Sequence, residues 1–312
     1  MPLSKRKRLR DFLYDQGVDG ALRGLINEIG EASKYISYAI DTTSLGYSGS
    51  VNVYGEKQLA LDVLSDEIVS EKLGMCGIVK NMASEEQENI NSAFLSEPGE
   101  YSVCFDPLDG SSLVDVNLAV GTIVSIYPGK ELVRPGREQV AALYVLYGPR
   151  TTMVVGLPSG VHEFSLDAVG SYTLSRPDIK MKDLGNIYSP GGSRNQYLPA
   201  HKDFIDSLLA DNYKLRYSGG FVPDFNQVLM KGGGLFTYPA LKNAPNGKLR
   251  LMFECNAMAF IVEVAGGAAS NGKQRILDIE PESIEMRSPI YIGSKKEVAR
   301  AEKMLAEQVS SD

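Results

Sequence analysis

Apolar residues recur early in the chain at the spacing of an α-helix. The spacing predicts a helix over residues 19–40, where Leu22 and Ile26 share one face. The same pattern predicts a second helix over residues 57–73, which Gly74 ends. We therefore expect two helices before the first sheet.

The pattern then changes to short runs of β-branched, aromatic and other apolar residues bounded by Gly and Pro, which is typical of strands. We expect these strands to form a mostly sequential sheet. The predicted strands cover residues 101–105, 120–127, 140–147 and 151–156.

A stretch rich in Ser, Pro, Gly and Asn at residues 185–199 indicates a domain boundary, and we divide the chain into residues 1–187 and 188–312. Beyond it, helices and strands alternate, which favours a layered α/β structure. The predicted helices cover residues 201–211, 221–230, 257–265 and 295–308, and the predicted strands cover residues 249–254, 274–279 and 290–292.

Composition and net charge argue against several classes of function. The net charge of −7 argues against a nucleic-acid partner, so the basic cluster at residues 5–10 is interpreted as a solvated arm or a subunit contact. No run of eighteen apolar residues occurs, so we expect no membrane span.

Three cysteines without C-x-x-C spacing, together with the absence of an apolar leader, favour the cytoplasm. With two histidines in the whole chain, carboxylates are the expected proton carriers.

The segment Asp106–Ser112, with the sequence DPLDGSS, carries the strongest local signal. A predicted strand leads into Asp106, and we expect Pro107 to end that strand. Asp109 follows three residues after Asp106, and Gly110, Ser111 and Ser112 supply backbone N–H groups. Two carboxylates beside such a nest suit a divalent cation bridged to a phosphate. The alternative is a tight turn that the two aspartates merely cap.

Further acidic residues occur where a structural role alone explains them poorly. Glu85 and Glu86 supply the additional carboxylates that a site with several metals needs, although they also suit a solvated helix start. Asp62 interrupts an apolar helix face, which suggests a role near metals; the alternative is a helix cap or a salt bridge. Glu254 ends an apolar run, where an unpaired carboxylate would be costly.

These acidic residues and several further blocks of sequence resemble the class I fructose-1,6-bisphosphatase family, over about residues 20–295. Glu85, Glu86 and the DPLDGSS segment are shared in outline with inositol monophosphatases. The blocks that single out the family are Leu61–Ser65, Gly121–Ile123, Lys248–Leu251, Glu254–Asn256 and Gly272–Gln274 followed by Leu277–Ile279.

This resemblance implies a five-layer α-β-α-β-α sandwich in which residues 1–187 bind metal and residues 188–312 bind the sugar phosphate. It implies hydrolysis of the 1-phosphate of fructose 1,6-bisphosphate, in gluconeogenesis or Calvin-type metabolism, by a homotetramer with two or three Mg²⁺ ions that Mn²⁺ can replace. The residues implied as metal ligands are Glu85, Asp106, Asp109, Glu254, Glu56 and the Leu108 carbonyl.

The resemblance also assigns roles around the substrate. Glu86 and Asp62 resemble the pair that activates the attacking water. Asp109, Gly110, Ser111, Ser112 and Arg250 resemble the cradle of the 1-phosphate. The residues implied to hold the sugar and its distal phosphate are Lys248, Tyr217, Tyr238 and, from a neighbouring subunit, Arg216.

Several positions depart from the family pattern. Residues 188–194 and 215–224 look closer to sedoheptulose-1,7-bisphosphatase, so that activity, alone or together with the first, is the alternative. An inositol-phosphate phosphatase and a non-catalytic metabolite sensor are further alternatives. Asp19, Arg23 and Glu100 occupy places where animal enzymes bind AMP, so we expect weak or absent inhibition by AMP.

Overall fold

The protein is described by a computed structural model over residues 7–42, 47–51, 57–93 and 99–309. The predicted helices at 19–40, 57–73, 201–211, 221–230, 257–265 and 295–308 are all present within a few residues of their expected bounds. The helices are α1 Leu9–Asp15, α2 Gly20–Thr42, α3 Ala60–Met75, α4 Pro199–Ala210, α5 Phe221–Met230, α6 Asn256–Val264 and α7 Lys295–Val309.

The strands of the described residues form a small ribbon and two larger sheets. In chain order they are β1 Tyr47–Val51, β2 Lys57–Leu59, β3 Val79–Ser84, β4 Asn91–Ser92, β5 Tyr101–Asp109, β6 Val120–Pro128, β7 Ala141–Tyr147, β8 Thr152–Leu157, β9 Gly160–Leu166, β10 Tyr172–Arg176, β11 Ile187–Pro190, β12 Lys214–Leu215, β13 Leu235–Tyr238, β14 Ala268–Ser270 and β15 Ile290–Gly293.

The eight-stranded sheet has the order β10-β9-β8-β7-β6-β5-β3-β4. Its pairs are antiparallel except β3 with β5, which run parallel. Both faces are covered, because successive side chains of a strand point to opposite sides. On β7, Leu143 and Val145 join the core with α2 and α3, whereas Ala142 and Tyr144 join the core with α5 and α6.

The five-stranded sheet has the order β12-β11-β13-β15-β14. One face contributes Phe236 and Ile292 to the core that contains α5 and α6. The other face packs against α4 and α7, where Phe204 and Tyr291 are buried. The layers therefore run helix, sheet, helix, sheet, helix, and the predicted five-layer α/β sandwich is confirmed.

Two local predictions around the candidate chemistry were wrong. Strand β5 does not stop at Pro107 but continues to Asp109, because a register shift against β6 between Asp106 and Asp109 places the proline where no ladder hydrogen bond is needed. The predicted strand 249–254 is instead a π-helical turn, Leu251–Cys255, that leads directly into α6. Both irregularities lie at the candidate site.

Other differences lie farther from the site. The predicted strand 274–279 is a 3-10 helix, Ile276–Asp278. Strands β9 and β10 were not anticipated, although residues 160–165 of β9 pair with β8. None of the helices in the described ranges is both long enough and apolar enough to cross a membrane.

His201 is a buried polar residue in the outer helical layer that α4 and α7 form. Its side chain on α4 is 1% exposed, and its Nδ1 lies 3.0 Å from the Tyr291 hydroxyl of β15. The ring also meets Tyr197 edge-on at 4.5 Å between centroids. Burial lowers the pKa of His201 to about 3, so the ring stays neutral in the folded protein.

Replacing His201 with phenylalanine should reduce the fall in the free energy of unfolding that acidification causes. An exposed histidine takes up a proton below about pH 6.5. Only the unfolded chain can do so here, so acidification from pH 7 towards pH 3 favours unfolding. Between pH 7 and pH 5 we expect the unmodified protein to lose about 1–2 kcal/mol more than His201→Phe. Urea unfolding at both pH values measures this difference.

The matched control is Lys202→Ala, because Lys202 is exposed on the same helix. It should keep the pH dependence of the unmodified protein. Identical pH dependence for His201→Phe and the unmodified protein would contradict the assignment of this titration to His201.

Candidate active site

A cavity of about 440 Å³, called here the acidic cavity, is lined by residues from both large sheets. It collects most of the candidate residues from both halves of the chain. The predicted residues that line it are Asp62, Glu85, Glu86, Asp106, Leu108, Asp109, Gly110, Ser111, Ser112, Tyr217, Tyr238, Lys248, Arg250 and Glu254.

Parallel pairing of β3 and β5 brings the first two carboxylates together. Ser84 at the end of β3 lies opposite Phe105 on β5, and the N–H of Glu85 donates to the Phe105 carbonyl at 3.0 Å. Glu85 directly follows β3 and Asp106 is the next residue on β5, so their side chains lie at the same end of the sheet. The Asp106 carboxylate also accepts the Leu108 N–H at 3.0 Å, which fixes its orientation.

The π-helical turn before α6 supplies the third carboxylate. Glu254 is 5% exposed, and its Oε2 accepts the backbone N–H of Arg250 at 2.6 Å. One oxygen each from Glu85, Asp106 and Glu254 lies within 4.8 Å of the others. A short π-helical insertion is a common device for turning a functional side chain towards a site.

The electrostatics of this group favour a bound cation. Burial raises the pKa of Glu85 to about 7; the Arg250 guanidinium opposes the rise and the Glu86 carboxylate adds to it. Burial and the Glu85 carboxylate raise the pKa of Asp106 well above its ordinary value, and the same two causes act on Glu254. Three desolvated carboxylates this close fit a hard divalent ion, which takes oxygen ligands and removes their mutual repulsion.

Asp109 faces a different partner. Its two oxygens accept the backbone N–H groups of Phe221, at 3.2 Å, and Val222, at 2.6 Å, at the start of α5. These bonds to a helix N-terminus partly offset the effect of burial, which raises the pKa of Asp109 to about 6. Asp109 thus lies in the acidic cavity but outside the group of three, and it joins the two halves of the chain.

The predicted water-activating pair lies beside this group. Asp62 is buried in the first turn of α3, and Glu86 follows Glu85 in the loop after β3. The N–H of Glu86 lies 3.2 Å from the Ser84 hydroxyl, so the loop turns sharply rather than starting a helix. Both carboxylates border the acidic cavity.

The predicted phosphate cradle follows directly from the end of β5. Gly110 adopts φ +75°, a left-handed conformation that favours glycine, and a 3-10 helix begins at Ser111. A side chain at position 110 would also lie 3.3 Å from the Gly220 Cα. Arg250 approaches from the other half of the chain, where it is 4% exposed and its guanidinium forms an ion pair with Glu85.

Of the predicted site residues that the structure describes, Arg216 alone does not line the acidic cavity. Arg216 is exposed after β12, and its guanidinium donates to the Leu215 carbonyl at 2.7 Å. Glu56 lies outside the described residues. Their roles remain predictions.

Sequence reasoning missed other residues of this cavity. Asp224 is fully buried and accepts the N–H groups of Ser218, at 2.8 Å, and Gly219, so it shapes the loop before α5. An aspartate in the first turn of a helix was a usable signal. Asp115 and Arg287 also line the cavity, and Arg287 donates to the Lys248 carbonyl at 2.7 Å. Nothing in the sequence pattern pointed to Arg287, because it lies far along the chain.

Comparison with known sequences places the chain in a defined group. The profile of the fructose-1-6-bisphosphatase N-terminal domain matches residues 10–177, and that of the C-terminal domain matches residues 181–306. A Geobacter metallireducens protein named fructose-1,6-bisphosphatase class 1 is 58% identical over 94% of this chain and 93% of its own length. A Methanocorpusculum labreanum protein of the same name is 39% identical over 95% of this chain and 91% of its own.

Solved structures agree with this grouping. Leishmania major fructose-1,6-bisphosphatase in its holo form superimposes with a TM-score of 0.92 at 32% identity, covering 96% of this chain and 99% of that one. A Toxoplasma gondii protein described as a candidate sedoheptulose-1,7 bisphosphatase gives a TM-score of 0.90 at 35% identity, covering 97% and 99%. The shared fold extends over nearly the whole of each chain.

Asp106→Asn should change stability and metal affinity in opposite directions. The amide keeps the acceptor for the Leu108 N–H but cannot carry the negative charge that burial and the Glu85 carboxylate disfavour, so the metal-free protein should be at least as stable as the unmodified one. Loss of the same charge should weaken Mn²⁺ binding at least about tenfold. Thermal unfolding in chelator and calorimetric titration with Mn²⁺ measure the two effects.

Asp115→Asn is the matched control, because Asp115 borders the same cavity but is exposed and outside the group of three. It should bind Mn²⁺ within about twofold of the unmodified protein. Undiminished Mn²⁺ binding by Asp106→Asn would rule out the proposed metal group.

Proposed function

The chain belongs to the class 1 fructose-1,6-bisphosphatase family, and from this premise we propose that its acidic cavity hydrolyses the 1-phosphate of D-fructose 1,6-bisphosphate. The products are fructose 6-phosphate and inorganic phosphate. The observation that carries the proposal is that one cavity holds three converging carboxylates, of which Asp106 and Glu254 are buried and Glu85 is half-buried, together with Lys248 and two tyrosines. That arrangement suits a substrate with a phosphate at each end.

Glu85, Asp106 and Glu254 would hold the divalent ions, two or three Mg²⁺ for which Mn²⁺ can substitute. Bound there, the ions supply Lewis-acid polarisation of the phosphate and a water of lowered pKa. Asp109, the Leu108 carbonyl and Glu56 complete the ligand set that the family pattern implies. Of these, Asp109 would exchange or share its hydrogen bonds to α5.

The remaining residues orient the substrate and move the proton. Glu86 and Asp62 accept the proton of the attacking water. The backbone N–H groups at Gly110, Ser111 and Ser112 hold the equatorial phosphate oxygens, and the Arg250 guanidinium balances their charge.

The other end of the cavity holds the rest of the sugar bisphosphate. Lys248 binds the distal phosphate, and Tyr217 and Tyr238 contact the sugar. Arg216 is exposed and does not line the acidic cavity of its own chain, which supports a role in the site of a neighbouring subunit. We accordingly propose a homotetramer, which light scattering after gel filtration would test.

Two further properties belong to the proposal. We propose that residues 1–187 form a metal-binding domain and residues 188–312 a sugar-phosphate domain. The three cysteines are free thiols, one partly buried and two buried, which supports a reducing cytoplasm.

Inhibition by AMP should be weak, because the chain supplies its own anion at the start of α2. The Asp19 carboxylate accepts the N–H groups of Ala21, at 2.9 Å, and Leu22, at 3.0 Å, and also the Tyr101 hydroxyl. A nucleotide phosphate would meet this carboxylate, with Glu100 next to Tyr101. Strong inhibition by AMP of phosphate release from fructose 1,6-bisphosphate would contradict this expectation.

The Toxoplasma neighbour supports a second candidate, hydrolysis of sedoheptulose 1,7-bisphosphate, either alone or beside the first activity. Phosphate release from both sugar bisphosphates and from inositol monophosphate, with and without Mg²⁺ and with added Li⁺, separates the candidates. We expect Mg²⁺-dependent release from fructose 1,6-bisphosphate. Release from inositol monophosphate alone would overturn the assignment, and release from no substrate would favour a metabolite sensor.

Variants at the two ends of the cavity should affect different kinetic constants. Glu86→Gln removes a proton acceptor and should lower kcat by about 10²–10⁴-fold with little change in KM. Lys248→Met removes a contact made equally in the ground and transition states, so it should raise KM at least about tenfold and leave kcat nearly unchanged. Steady-state kinetics on fructose 1,6-bisphosphate measure both.

Lys242→Met serves as the control for the lost lysine charge. Lys242 donates to the Asn195 carbonyl and is exposed away from the acidic cavity. Its kinetics should match those of the unmodified protein. A fall in kcat for Lys248→Met as large as that for Glu86→Gln would argue against the proposed division of roles.

A further inference from the structure

Gly191 lies directly behind a wall of the acidic cavity. It follows the end of β11, next to Thr237 and Tyr238 on the parallel neighbour β13. We propose that Gly191 is a positioning residue that, by lacking a side chain, lets the Tyr238 ring lie back and keeps the sugar end of the cavity open. The inference rests on the proposed function, because it assigns this space to the sugar bisphosphate.

The contact between the two residues is close enough to be decisive. A Cβ atom built on Gly191 would lie 2.4 Å from Cδ2, 2.8 Å from Cε2 and 2.9 Å from Cγ of Tyr238. These distances are far shorter than the roughly 3.5–4.0 Å at which carbon atoms make favourable contact. The ring and any side chain at position 191 therefore cannot occupy their present places together.

The backbone at Gly191 is held from several directions and cannot readily yield. Its N–H donates to the Thr237 carbonyl at 2.7 Å, and its carbonyl accepts the buried Tyr197 hydroxyl at 3.0 Å. At Gly192, where φ is +80°, a built Cβ would lie 3.1 Å from the side chain of Leu241. A clash at position 191 must therefore be relieved by the Tyr238 ring.

Two observations give the direction of that movement. Tyr238 lines the acidic cavity whereas Gly191 does not, so the ring lies between Gly191 and the cavity. The Tyr238 backbone is fixed on β13 by pairing with Ile290 of β15. Pushing the ring away from Gly191 moves it into the space shared with Tyr217 and Lys248.

Alanine is a clean probe at this position. The φ angle of Gly191 lies outside the left-handed region, so alanine imposes no backbone strain and acts through its methyl group alone. In Gly191→Ala we expect KM for fructose 1,6-bisphosphate to rise about tenfold, the equivalent of losing one ordinary polar contact, with kcat within about twofold. An unchanged KM, or a fall in kcat alone, would overturn the proposal.

Gly20→Ala is the matched control. A Cβ on Gly20 would approach nothing closer than the Arg23 guanidinium at 3.9 Å, and the residue lies at the start of α2, away from the cavity. Its KM and kcat should equal those of the unmodified protein.

A double-mutant cycle tests whether Gly191 acts through Tyr238. Tyr238→Ala removes the ring, so adding Gly191→Ala to it should leave KM unchanged within about twofold. A further rise of KM in the double variant would show that the methyl group acts elsewhere and would overturn the proposal. If Gly191→Ala alone does not fold, recovery of folding in the double variant supports the proposal and failure to recover it contradicts it.

A crystal structure of Gly191→Ala provides a readout that is independent of activity. The Tyr238 ring should be displaced towards the cavity, and an unmoved ring would overturn the inference even in an active enzyme. If instead the unmodified protein released no phosphate from fructose 1,6-bisphosphate, the proposed function would fail while the ring displacement could still be measured.

Discussion

The arrangement of this protein depends on holding several carboxylates out of water within a few ångströms of one another. Burial raises the pKa of Glu85, Asp106 and Glu254, and the Glu85 carboxylate raises the pKa of the other two further, because little solvent remains to screen its charge. Such a group is unfavourable by itself, and it persists only where the surrounding structure fixes each side chain. The ends of the paired strands β3 and β5 and the π-helical turn before α6 provide that rigidity.

The three carboxylates and Arg250, which pairs with Glu85, also join the two halves of the chain. Arg250 and Glu254 lie just before α6, whereas Glu85 and Asp106 lie at the end of the eight-stranded sheet. Asp109 adds a second connection, because its carboxylate accepts two N–H groups at the start of α5. The cavity is thus bordered on one side by strand ends and on the other by helix starts, which is where backbone N–H groups remain available for anions.

The far end of the cavity is built differently, from aromatic rings and glycines rather than from carboxylates. Tyr238 is supported from behind by the backbone of Gly191, which hydrogen bonds to the Tyr197 hydroxyl and the Thr237 carbonyl hold in place. The shape of the space that we propose for the sugar therefore depends on residues that do not line the cavity. Chemistry and substrate fit are assigned to separate parts of the wall, so either can vary with limited effect on the other.

The sequence by itself determined the helical and strand periodicities, the layered α/β class and the acidic segment Asp106–Ser112, because these depend on neighbours along the chain. It did not determine the π-helical turn at Leu251–Cys255 or the bulge at Pro107, because both arise where tertiary contacts override local preference. Only the tertiary structure decided that Arg287 borders the cavity, that Asp109 turns towards α5 and that Gly191 lies behind Tyr238. These juxtapositions join residues distant in sequence, and no local pattern of hydrophobicity or charge records such distances.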